Sequence, residues 1–191
     1  MSRVPVWVER KFSFDFPVEQ YPNISIRLRG TPARLEDLLH NRSRELLTTK
    51  RQGKWSAQEH AGHLLDLESL WMARLDDYLN GRTVLTAADL NNSETTNANH
   101  NEHPLVGILG QFREARFRLV DRVETFEPER FSHSLVHPRL EKPTRLVDHL
   151  YFVAEHDDHH LALNMGTDQQ VKPMPRRMIT DGSDRHARGV R

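Results

Sequence analysis

Apolar residues recur along this chain at two different spacings. From Lys11 to Phe16 they alternate, with Phe12, Phe14 and Phe16 separated by polar positions, which is the period of an extended segment. Further on, the spacing lengthens to three and four. Leu35, Leu38, Leu39 and Leu46 predict a first helix that ends near Thr49. Its start falls at Thr31-Pro32, a capping hydroxyl followed by proline at the first helical position. Ser56 and Glu59 have the spacing of a capping box and open a second helix that runs to about Asn80, where Gly81 stops it. Leu64, Leu67, Leu70, Trp71, Leu75 and Tyr78 form its apolar side. A third helix begins at Pro104 and turns Leu105, Leu109, Phe112, Arg116, Leu119 and Val123 inward. A fourth starts at Thr144 and reaches about Met165.

The segments between these helices are polar or rich in breakers. Residues 1–30 contain Pro17, Pro22 and Gly30 and read as an N-terminal extended arm. Residues 82–103 form a loop of Asn, Thr and Ala that is long for a compact domain, and residues 128–143 carry Pro138 and Pro143. Over residues 168–191, six Lys/Arg face three Asp, which predicts a flexible basic C-terminal tail from residue 167. The expected fold is therefore all-α, a four-helix bundle over residues 31–166 with an arm before it and a tail after it.

Composition narrows the chemistry. Lys+Arg and Asp+Glu are equal at 27 each, so no overall field draws the chain to nucleic acid, and no nucleic-acid partner is expected from the bulk charge. The six basic tail residues are the sole feature that points the other way. Cysteine is absent, which excludes disulfides, thiolate ligands and a cysteine nucleophile. The first ten residues hold no apolar run of the signal-peptide kind, and no stretch approaches the ~20 apolar residues of a membrane span. A cytoplasmic location is the expectation. The unusual number is 12 histidines, the side chain that most often ligates metals.

Several of those histidines fall where solvent-facing residues should not. On a helical wheel at ~100° per residue, His149, His156 and His160 lie within the apolar stripe of Leu146, Val153 and Leu163. Glu155 and Asp158 fall opposite, and His159 turns toward solvent. His156 and His160 are one turn apart, a spacing at which two imidazoles can share one ion. His149 is too far along the helix to join them. An inward histidine is often a hydrogen-bonded core residue, but three in two and a half turns each need a polar partner. The second helix offers His60 and His63. His63 is flanked one turn away by Glu59 and Asp66, and carboxylates beside a ligand histidine commonly orient it, whereas His60 shares the arc of Leu67, Trp71 and Tyr78.

Three pieces of the chain resemble the DinB/YfiT-like superfamily. The first is Trp55-Ser56 followed by His63-Leu64-Leu65-Asp66; the second is Phe112-Arg113-Glu114-Ala115-Arg116; the third runs from Asp148 through Glu155-His156-Asp157-Asp158-His159-His160. The resemblance spans roughly residues 30–166. It implies an up-down-down-up four-helix bundle, often homodimeric, and a metal triad that carries over to His63, His156 and His160.

Such a site predicts one divalent metal ion, with zinc or nickel favoured and iron possible, because imidazole suits all three. The expected function is metal-dependent hydrolysis of, or transfer to, a small-molecule substrate, with a low-molecular-weight thiol as a candidate cosubstrate. A non-catalytic, metal-stabilised binding or dimerisation module is the alternative. Candidate acid–base groups are Asp157, Glu59 and Asp66. Asp157 follows the first ligand of the fourth helix, where the His-Glu-x-x-His zinc proteases keep their general base. Asn97, Asn99, His100 and Asn101 of the long loop are candidates for a polar substrate entrance.

Overall fold

The computed structural model describes residues 4–50 and 53–165; the expected basic tail lies outside them. The helices are α1 (Tyr21–Leu39), α2 (Arg44–Thr48), α3 (Ala57–Asp66), α4 (Glu68–Leu79), α5 (Ser93–Asn97), α6 (Leu105–Glu124) and α7 (Leu146–Met165). Strands β1 (Ser134–His137) and β2 (Lys142–Arg145) form an antiparallel hairpin between α6 and α7, with Ser134 opposite Arg145. None of the helices among the described residues is long and apolar enough to cross a membrane.

Four corners make the bundle: α1, the α3–α4 pair, α6 and α7. α1 packs against α6 and α7, and α3 packs against the same two. The second and fourth corners are thus neighbours, so histidines from α3 and α7 can meet. One core cluster gathers Trp71, Tyr78, Leu119, Leu146, Phe152 and Val153, and a second gathers Leu35, Leu39, Leu64, Phe112 and Leu161.

The first helix begins ten residues earlier than the sequence predicts, and Thr31 and Pro32 lie inside it. Pro22 occupies its first turn, where a missing N–H costs nothing. Pro32 deprives the Leu28 carbonyl of its donor, and Arg116 Nη1 replaces it at 3.5 Å. Thr31 donates instead to Asp157 Oδ2 at 2.8 Å. Residues 21–30 therefore extend α1, with Ile24 and Leu28 buried, and the extended arm is confined to the residues before them. α1 also stops at Leu39, and the predicted continuation to Thr49 is the separate short α2.

The second predicted helix divides at Leu67 into α3 and α4. Its capping box is formed, with Ser56 N donating to Glu59 Oε2 at 2.9 Å and Glu59 N to Ser56 Oγ at 3.1 Å. Gly81 takes a φ of +67° just past α4, a conformation that glycine adopts without strain. Fourth-helix residues begin at Leu146 rather than Thr144, because Thr144 pairs with Leu135 in the hairpin.

The arm runs across α7. Its alternating Phe12, Phe14 and Phe16 make no strand ladder; Lys142 Nζ donates to Phe12 O at 2.5 Å, and Arg145 Nη2 to Phe14 O and Phe16 O at 3.1 and 3.0 Å. Trp7 packs edge-on against Phe12, Phe152 and His156.

Candidate metal centre

α3 and α7 bring His63, His156 and His160 together, all buried, with one ring nitrogen of each within 4.8 Å of the others. His156 Nε2 and His160 Nε2 are 3.2 Å apart. Two nitrogens bound tetrahedrally to one ion at ~2.0–2.1 Å would be separated by about 3.3 Å. The donor set therefore fits a metal ion.

The surroundings fix which ring nitrogens point inward. His63 Nδ1 lies 3.0 Å from Thr95 Oγ1, and His160 Nδ1 lies 2.9 Å from His60 Nδ1. With protons on Nδ1 of His63 and His160, both Nε2 atoms present lone pairs to the centre. A proton on His156 Nε2 would bridge to His160 and leave His156 Nδ1 as a buried atom without a partner. An ion at the same place would take that proton's role for all three rings. Burial pushes His63 down to about 4, with Asp66 opposing it, and holds His156 and His160 well below the ordinary imidazole range. All three are neutral near pH 7, the form that ligates.

Thr95 comes from α5, in the long loop, and that loop is docked on α3. Gln58 Nε2 donates to the carbonyls of His100 and His103 at 2.6 and 2.8 Å, and Ser56 Oγ to Asn101 Oδ1 at 2.7 Å. His100 Nε2 pairs with Asp66 Oδ2 at 2.9 Å. His100 and Asn101 thus tie the loop down and do not form an entrance; Asn92 lines the cavity instead.

The three candidate acid–base carboxylates are engaged elsewhere. Asp157 is fully buried, turned toward α1 and α6, and takes Arg116 Nη1, Arg116 Nη2 at 3.1 Å and the Thr31 hydroxyl. The same guanidinium donates to Glu68 Oε1 at 2.6 and 2.9 Å. Burial alone would lower the Arg116 pKa, but the charges of Asp157 and Glu68 raise it. Glu59 caps α3 and pairs with Lys50 Nζ at 2.7 Å. Asp66 holds His100.

His149 is buried with neither ring nitrogen bonded, between Trp71, Tyr78 and Phe152. His159 does not face open solvent as the wheel suggests, because Trp7 of the arm covers it at a ring distance of 5.6 Å. Glu155 and Asp158 do lie on the far face, paired with Arg10, Arg27 and Arg34.

The histidine cluster lines a cavity of about 320 Å³. All three tryptophans of the chain, Trp7, Trp55 and Trp71, line it too, with Leu67, Leu70 and Phe152. This size and apolar lining suit a small molecule. Trp55 was legible as the start of the Trp-Ser motif and Trp71 as a core residue, while Trp7 and Thr95 gave no periodic signal.

Comparison with known proteins gives one family and one fold. The family model of the DinB superfamily matches residues 27–163. YfiT from Bacillus subtilis, described as a probable metal-dependent hydrolase with an unusual four-helix bundle topology, superposes with a TM-score of 0.74 at 21% identity. The alignment covers 84% of this chain and 93% of YfiT. No curated protein matches the chain.

Proposed function

The chain belongs to the DinB superfamily, and from that premise we propose that it is a metal-dependent enzyme, with His63, His156 and His160 as ligands and a small molecule as substrate. The observation that carries this reading is the convergence of three buried, neutral imidazoles on the wall of a cavity. A divalent ion held by three imidazoles keeps a position open for water or a thiolate and supplies a Lewis acid there. Zinc and nickel suit the all-nitrogen donor set best, with iron third. The chain has no cysteine, so a thiol cosubstrate would come from outside.

The chain's own residues prepare the site. Thr95 and His60 set the ring orientations of His63 and His160. Trp55 packs on His63 at 4.7 Å and Trp7 on His156 at 4.9 Å, so indole surface lies against two of the three imidazoles. Asp157 ties α7 to α6 through Arg116 and to α1 through Thr31.

The test is turnover by the full chain loaded in turn with zinc, nickel or iron. Small esters, amides and electrophiles offered with a low-molecular-weight thiol form the substrate panel. The reading expects metal-dependent turnover that His63→Ala and His156→Ala both abolish. Turnover indifferent to both substitutions would overturn it, and so would metal-loaded protein silent across the panel, which would mark a metal-stabilised binding module.

A further inference from the structure

The cavity is also lined by a second polar group, Arg74 of α4, His137 of β1 and Arg139 of the hairpin turn. Arg74 is 2% exposed, and Arg139 is half-buried. Neither forms an ion pair with a carboxylate among the described residues. Asp77, one turn after Arg74, accepts from Thr86 N at 2.5 Å and faces Arg82. The one acidic residue on the cavity wall, Asp89, caps Asn91 N and Ser93 N at 2.9 and 2.8 Å.

Aromatic rings cover the guanidinium faces; along the edges, Arg74 Nε donates to Thr86 O at 2.9 Å, whereas two buried in-plane nitrogens of Arg139 have no partner. Arg74 lies over Trp71 at 5.3 Å, and Arg139 over Trp7 and Phe152 at 5.2 and 5.1 Å. Stacking of this kind uses the flat face of a guanidinium and leaves its in-plane N–H groups to bond acceptors. Arg139 Nη1 donates to Trp7 O at 3.0 Å, while Nε and Nη2 have no partner. Those two atoms form one side of the guanidinium, the fork that takes a carboxylate through two parallel hydrogen bonds.

His137 adds a third donor. Its Nδ1 accepts from Arg139 N at 3.2 Å and Leu140 N at 3.3 Å, which places the ring proton on Nε2. That Nε2–H then faces Arg74 Nη1 at 3.2 Å, donor against donor, in a place where His137 is 1% exposed. An acceptor atom that both could reach would relieve the opposition. Burial, with Arg74 and Arg139 adding to it, holds the His137 ring neutral by pushing its pKa down to about 3.

We infer that Arg74, His137 and Arg139 form an anion subsite that receives a carboxylate of the substrate, whose apolar body lies along the tryptophan-lined wall toward the histidine cluster. Each guanidinium packs on an indole that also lies near the His156 ring, Trp71 at 5.8 Å and Trp7 at 4.9 Å. The substrate class is a small amphipathic carboxylate with its reacting group a few atoms from the acid. The assignment of this anion to a substrate rests on the metal-centred reading above, whereas the binding of the anion does not.

All three tryptophans line the cavity, so intrinsic fluorescence reports its occupancy directly. The full chain is titrated with phenylacetate and with its neutral isostere phenylacetamide, metal-loaded and again after chelation. The expected result is saturable quenching by phenylacetate with an affinity about tenfold or more above that of the amide. This preference survives chelation and is abolished by Arg139→Gln and, independently, by Arg74→Gln, each checked for unchanged secondary structure by circular dichroism. Equal affinities for the two probes would overturn the proposal, as would no saturable quenching by phenylacetate or a preference that Arg139→Gln leaves intact. A preference that disappears on chelation would also overturn it, by assigning the carboxylate to the metal. If the chain takes up no metal yet keeps the preference, the metal-centred reading fails and the subsite stands.

Discussion

Thr95 Oγ1 lies 3.0 Å from His63 Nδ1, so a five-residue helix in a long polar loop sets the orientation of an imidazole on α3. Both groups are buried, and when the hydroxyl accepts from Nδ1–H the imidazole presents its Nε2 lone pair. Loss of such a partner typically weakens metal affinity about 10- to 100-fold. Thr95→Val is expected to lower zinc affinity by that order and, by leaving a buried His63 nitrogen without its partner, to cost the metal-free chain about 1–3 kcal/mol of stability. Competition against a chromophoric chelator measures it, and unaltered affinity would remove Thr95 from the site.

Gly62 is the position at which the loop meets α3. A Cβ there would stand 2.2 Å from the His100 ring, which no flexible adjustment of a buried, Asp66-bonded imidazole accommodates in place. Gly62→Ala should therefore displace His100 and loosen residues 82–103, with faster proteolytic cleavage in that loop and a weaker metal site. Cleavage rates equal to those of the parent chain would show that the docking is not needed.

Asp157 is held by Arg116 and Thr31 inside the bundle. Removing Asp157 leaves Arg116 paired with Glu68 alone and buried N–H groups short of an acceptor, at a cost of about 1–3 kcal/mol. Asp157→Ala should lose stability of that order by urea unfolding, because Arg116 is fully buried, yet the folded fraction should still bind metal. A stable variant with lost turnover would instead place Asp157 in the chemistry.

Acid should unfold this protein early. Burial lowers His60 and His63 to about 4 and His137 to about 3, and holds His149, His156 and His160 lower than the ordinary range. An unfolded histidine titrates near ~6.5. Below that value the unfolded chain binds protons that the folded chain refuses, so stability falls as pH drops from about 6.5 toward 4. His149, with both nitrogens unpartnered, isolates one such contribution without touching the ligands. His149→Leu should remove about 2 kcal/mol of the stability lost by the metal-free chain between about pH 7 and pH 5. Urea midpoints at the two pH values measure it, and an unchanged difference would show that His149 titrates normally in the fold.

The sequence carried the parts of the fold that repeat. Periodic leucines marked all four corners of the bundle, and Ser56 with Glu59 fixed the start of α3 where the capping box is found. The start of α1 was hidden, because Pro32 reads as a helix opening unless Arg116, 84 positions later, is known to satisfy the Leu28 carbonyl. The four-residue spacing of His156 and His160 placed both on one face, since a single helix determines it. Thr95, Trp7 and Arg139 come from a loop, an arm and a hairpin turn, where no period reports direction. His159 was misplaced for the same reason: the helix wheel puts it outward, and the arm then covers that face.

Metal content tests the central claim most directly. The full chain, purified without a nickel column, is analysed by elemental mass spectrometry beside His156→Ala, with circular dichroism confirming that the variant is folded. The account predicts about one divalent ion per parent chain and none above background in the variant. A parent chain that holds no metal and takes up none on dialysis against zinc, nickel or iron would contradict it, and would make the three converging imidazoles a structural feature of the bundle.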